Sequence, residues 1–116
     1  MAEFDIYQEE RPWGNFRQFT HNSPSTVKIL SIKPNTSLSL QYHNNREEFW
    51  KVLSGQPVVT IGEQKIKAKA GDEFKIEKLQ PHRLEAGEED VQVLEIAYGN
   101  FEESDIIRLE DKYGRI

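Results

Sequence analysis

From residue 15 onward, short segments rich in Val, Ile, Phe and Leu alternate with polar residues, and turn formers interrupt them roughly every 8 to 12 residues. Alternation of this kind puts one side of an extended chain in a core and the other in water, and no 11-residue window carries the 3.6-residue stripe of a helix. The pattern predicts strands over 16–19, 27–32, 38–43, 48–53, 58–61, 64–68, 73–76, 82–86, 91–97 and 105–109. The breakers between them, Pro34-Asn35, Ser54-Gly55-Gln56-Pro57, Gly62-Glu63, Ala70-Gly71-Asp72 and Ala86-Gly87, favour turns or positive φ. A chain of 116 residues holds one core and not two. That many short strands must close on themselves or stack, because open edges invite aggregation. The expected fold is therefore all-β, a single barrel or jelly roll. The alternating Lys65, Lys67 and Lys69 read as the solvated face of a protected edge strand.

Composition narrows the chemistry. There is no cysteine, so disulfides and thiolate metal sites are excluded, and any site must use His, carboxylate and amide groups. A net charge of -5 argues against nucleic acid or an anionic membrane as partner, and an anionic small substrate would need a local basic pocket. The longest apolar runs are too short to span a bilayer, and the opening Met-Ala-Glu-Phe-Asp is acidic where a signal peptide is basic, so a soluble, cytoplasmic protein is expected.

The polar exceptions within the strands carry the functional signal. Gln41 and His43 are two apart and share a strand face, Glu48 opens the next segment, and the intervening Asn44-Asn45-Arg46-Glu47 is short enough for a hairpin that would bring Glu48 to His43. His82, after Pro81, opens a later strand. Each residue alone is more ordinarily solvated surface than ligand. Together, Gln41-x-His43, four residues, Glu48, six residues and Gly55 resemble the first cupin motif, with Gln in place of its first His. Gly71-Asp72, with His82 eleven positions after the Gly, resembles the second. The resemblance implies a cupin double-stranded β-helix, 1–116, with an N-terminal arm over 1–14, a barrel over 15–100 and a C-terminal segment over 101–116 packing on it. It also implies one divalent metal ion held by Gln41, His43, Glu48 and His82. Such a donor set suits Zn²⁺ first, and also Mn²⁺, Fe²⁺, Co²⁺ or Ni²⁺.

The resemblance extends further. Arg11-Pro12-Trp13-Gly14, Leu38-Ser39-Leu40-Gln41-Tyr42-His43 with Arg46, Glu48 and Trp50, His82-Arg83-Leu84-Glu85, Asp105-Ile106-Ile107-Arg108 and Tyr113-Gly114-Arg115 are similar to the cupin domain of type II phosphomannose isomerases. That domain commonly forms the C-terminal part of bifunctional mannose-1-phosphate guanylyltransferases. Three departures are visible: Asn44-Asn45 stand where the family has further His residues, Phe49 stands where it has His before Trp, and Ile76-Glu77-Lys78-Leu79 stands where it has Ile-Pro-x-Gly before the last ligand. The family implies interconversion of mannose 6-phosphate and fructose 6-phosphate through an enediolate. Its general base is sought in Glu95, which either points into the barrel from an apolar strand or faces out from a half-exposed one. Arg11, Lys28, Arg83 and Arg115 are the candidates for binding the phosphate, Arg83 being out of phase with His82. Trp13 and Trp50 are expected in the core rather than under a sugar. The expected partners are a small-molecule sugar phosphate and a second copy in a homodimer. Two other readings stay open: a non-catalytic sugar or nucleotide-sugar binding cupin that partners a guanylyltransferase, and a cupin oxygenase using Fe²⁺.

Overall fold

The computed structural model describes residues 6–115. Eleven strands run through them: β1 (Tyr7–Arg11), β2 (Gly14–Gln18), β3 (Ser25–Ile32), β4 (Leu40–Tyr42), β5 (Glu47–Ser54), β6 (Val58–Ile61), β7 (Gln64–Lys67), β8 (Glu73–Ile76), β9 (His82–Glu85), β10 (Val91–Tyr98) and β11 (Ile107–Glu110). Every predicted strand is present, with ends shifted by a few residues. All pairings are antiparallel, in a four-stranded sheet ordered β3-β10-β5-β8, a five-stranded sheet ordered β11-β4-β9-β6-β7 and the hairpin β1-β2. Strands β3 to β10 make a jelly roll, their order doubling back between the two sheets; the sheets face one another without closing into a hydrogen-bonded ring. Among the described residues no helix is long and apolar enough to cross a membrane.

The inward faces follow from the alternation. Trp50 and Val52 of β5, Ile76 of β8 and Val91 and Val93 of β10 meet Val59 of β6 and Leu84 of β9 in one buried cluster between the sheets. A second cluster, Phe49, Ile96 and Tyr98, lies on the outer face of the four-stranded sheet and is covered by Ile6 and Phe19, while the Tyr98 hydroxyl donates to the Phe19 carbonyl at 3.0 Å. Of the predicted N-terminal arm, residues 1–5 lie outside the described residues, and 7–14 form, with 15–18 from the stretch assigned to the barrel, a hairpin whose base packs outside it. β7 is the edge of its sheet, with Lys65 and Lys67 exposed as expected. The connection from β4 to β5 is not the hairpin expected from its length, because it carries the chain from the five-stranded sheet to the four-stranded one. Trp50 is in the core, whereas Trp13, also predicted there, is 72% exposed at the tip of the β1-β2 hairpin. A two-residue turn across Pro12-Trp13 leaves its side chain nothing to pack on.

Candidate metal centre

His43 directly follows β4, Glu48 lies in β5 and His82 opens β9, so the crossing between sheets brings residues from both walls to one end of the barrel. All three are buried, and their ligand atoms lie within 4.8 Å of one another. His43 Nε2 is 3.5 Å from Glu48 Oε2, and His82 Nε2 is 3.6 Å from Glu48 Oε1. The fourth predicted ligand, Gln41, is the cross-strand partner of His82, so the two side chains share the inward face; its Oε1 accepts from Ser39 Oγ at 2.7 Å.

The surroundings fix the protonation of the imidazoles. His43 Nδ1 donates to the Asp105 carbonyl at 2.7 Å and His82 Nδ1 donates to the Gln80 carbonyl at 2.8 Å. A carbonyl can only accept, so Nδ1 carries the hydrogen in both rings and both Nε2 lone pairs point inward, the arrangement a metal-ligating His requires. Burial lowers the His43 pKa, and the Arg46 guanidinium adds to the effect; burial also pushes His82 down to about 4. The two Nε2 atoms, unprotonated in neutral rings whose hydrogens are on Nδ1, face each other at 3.2 Å with no hydrogen between them, and an Arg46 N–H approaches His43 Nε2 at the same distance. Glu48 Oε1, in a residue only 1% exposed, has no hydrogen-bond partner among the described residues. Two converging lone pairs and an orphaned buried carboxylate oxygen fit a divalent cation of the borderline class.

Glu95 points inward from β10, as one of the two sequence readings had it. It is 7% exposed and accepts from Trp50 Nε1 at 3.2 Å. Burial, with the nearby Glu48 carboxylate as the second cause, pushes its pKa up to about 7. Lys28 is its cross-strand partner on β3, so its side chain is on the same inward side; it pairs with Glu103 at 2.5 Å and sits over the Phe101 ring.

The other three predicted phosphate ligands are not brought to this site. Arg11 is on the projecting hairpin, paired with Glu9. Arg83 faces outward, opposite Thr60, and pairs with Glu110 at 3.1 Å. Arg115 is held by Asp111 and lines a cleft with Ile32, Lys33 and Thr36 at the other end of the barrel.

Sequence reasoning passed over Arg46 as a site residue. Although the side chain comes from a short connection, it is 6% exposed, donates from Nε to Glu48 Oε2 at 2.9 Å and from a terminal nitrogen to His43 Nε2 at 3.2 Å. Its guanidinium stacks over Phe101 at 4.2 Å and donates to the Glu102 carbonyl at 3.0 Å. Its signals in the sequence are its place in the family-like segment and a cation set between two candidate ligands. The carbonyls of Gln80 and Asp105 were equally invisible, since a backbone acceptor has no side-chain signature. Asp105 also caps the backbone N–H groups of Asn44 and Asn45, both at 2.9 Å, which ties the segment after β10 across the mouth.

Comparison with known proteins agrees with this geometry. A double-stranded β-helix protein from Klebsiella pneumoniae superposes with a TM-score of 0.66 at 20% identity, covering 78% of each chain, which shows the cupin fold. The xanthan biosynthesis protein XanB of Xanthomonas campestris is 36% identical over 107 residues, 90% of this chain and 23% of that protein. The mannose-1-phosphate guanylyltransferase ManC of Salmonella typhimurium is 36% identical over 109 residues, 91% of this chain and 22% of that protein. The chain thus spans less than a quarter of the length of these relatives. The family model described as mannose-6-phosphate isomerase C-terminal matches residues 3–111, and the chain belongs to that family.

Proposed function

We propose that this domain is a metal-dependent aldose–ketose isomerase that interconverts mannose 6-phosphate and fructose 6-phosphate. One observation carries the reading: a buried carboxylate, Glu95, lies near the Glu48 carboxylate of the converging, equally buried His43, Glu48 and His82. The reaction moves hydrogen from C2 to C1 while O1 gains a proton and O2 loses one. Glu95 takes the C2 proton and returns it to C1, held in place by Trp50 Nε1. His43, Glu48 and His82, with Gln41 beside them, would hold a divalent ion, and that ion would supply Lewis-acid polarisation of the substrate carbonyl. Arg46 supplies a fixed positive charge at the same place. The walls of the jelly roll exclude water from the intermediate.

The test is turnover of mannose 6-phosphate by protein stripped of metal and reloaded separately with Zn²⁺, Mn²⁺, Co²⁺, Ni²⁺ or Fe²⁺. Turnover restored by a metal supports the reading; stoichiometric metal binding with no turnover overturns it. That second result favours a sugar or nucleotide-sugar binding module working beside a guanylyltransferase. Two observations support this alternative: the Arg46 guanidinium bonds to Glu48 and His43 where a cation would compete, and the named relatives include guanylyltransferases far longer than this chain.

A further inference from the structure

The five-stranded sheet contains a row of side chains that the proposed reaction leaves unused at one end. His82 of β9 is opposite Gln41 of β4, and Gln41 is opposite Arg108 of β11. Directly opposed residues of an antiparallel pair project to the same face, so Arg108 shares the inward side with Gln41 and His82. Neighbouring strands are about 4.8 Å apart, which puts the β11 backbone about 10 Å from β9, with the guanidinium able to reach part of the way back. Arg108 is partly exposed, but its Nε is buried and has no acceptor, and no ion pair engages its other donors among the described residues. Burying a guanidinium N–H without a partner costs free energy that a bound anion would offset.

The local backbone keeps this arginine unpaired. A register shift between Arg108 and Glu110 puts Glu110 opposite Leu40, on the outer face, where it pairs with Arg83. Without that bulge Glu110, two residues on, would share a face with Arg108 and could neutralise it. The two other cations on this side are already engaged, Lys28 by Glu103 and Arg46 by Glu48. Among the described residues, Arg108 thus has no carboxylate partner in a chain of net charge -5.

We infer that Arg108 binds the phosphoryl group of the substrate, two strands away from His82 on the same face of the sheet. The inference rests on the sugar-phosphate reading above and names the group that gives it phosphate specificity. A planar guanidinium fork matches a phosphoryl group bidentately, and β11 stands off from His82 as the sugar phosphate's tail stands off from its reacting carbons.

The test is equilibrium binding of mannose 6-phosphate and of mannose to metal-loaded wild type, Arg108→Gln and Arg108→Met, with metal content and melting temperature measured alongside. Both substitutions remove the charge, and Met keeps the packing of the aliphatic stem should Gln compromise folding. Wild type should prefer mannose 6-phosphate; each folded variant should lose about 10- to 100-fold of that affinity, with mannose binding and metal stoichiometry unchanged. Wild-type affinity for mannose 6-phosphate in a folded variant overturns the role of Arg108 and leaves the isomerase reading standing. Equal loss for both sugars, or loss of metal, overturns it in favour of a structural role. A wild type with no preference for the phosphorylated sugar overturns the sugar-phosphate reading as well.

Discussion

Within the site, the division of labour among polar side chains follows from which lone pairs their neighbours leave free. His82 is the most informative single position: its Nδ1 is spent on the Gln80 carbonyl and its Nε2 faces Glu48, so its imidazole does little for the fold beyond filling space. His82→Ala should abolish stoichiometric metal binding while keeping the strand signature in circular dichroism; metal retained at one equivalent would refute the ligand set. Asp105 acts one step further out, through its carbonyl on His43 and its carboxylate on Asn44 and Asn45. Asp105→Ala spares the carbonyl but releases the loop that aims it, and is expected to weaken metal affinity about 10- to 100-fold, measured by competition with a chelating dye. The faces of Gln41, His43 and Glu48 were legible because strand periodicity is local. Arg46 and Arg108 were not singled out, because a long side chain's partners depend on strands distant in sequence.

Individual elements make different demands. The turn between β5 and β6 needs Gly55: its φ is +85°, and a Cβ there would lie 2.3 Å from the Asp90 carbonyl oxygen. The glycine of the motif spacing is thus a close-approach residue, and Gly55→Ala should cost at least about 2 kcal/mol in urea unfolding, the combined effect of left-handed backbone and clash. On the outer face of the four-stranded sheet, Phe49 is 3% exposed, stacked at 5.3 Å from Phe19. Phe49→Ala should destabilise by about 3–5 kcal/mol and loosen the base of the β1-β2 hairpin, read as faster hydrogen exchange at Phe19. Position 49 is one of the departures from the family pattern, and the structure gives it an apolar neighbour from the N-terminal segment, which no reading of the β5 sequence alone would supply.

For the whole molecule, the buried site couples stability to pH. In metal-stripped protein the folded state keeps His43 and His82 neutral below the usual imidazole pKa near 6.5, and keeps Glu95 protonated up to about 7. Between about pH 4.5 and 6.5 the unfolded chain takes up the His82 proton that the folded state refuses and gives up the Glu95 proton that it retains, two effects that offset each other, and the lowered His43 pKa tips the balance so that folding releases a fraction of a proton. Stability should fall as pH drops through this window, by at most about 1.4 kcal/mol per pH unit, and urea midpoints at several pH values would check it; a flat or rising trend refutes the burial argument. By itself the sequence determined every strand but β1, the faces of the four candidate ligands and the core between the sheets, since all three follow from period-two patterning and chain length. Only the tertiary structure decided that β4 and β5 belong to different sheets, that the carbonyl of Asp105, 62 residues away, orients His43, and which arginines find carboxylates. Pairing between strands is a long-range choice made by packing and register, and the charge left over at Arg108 is a consequence of that choice.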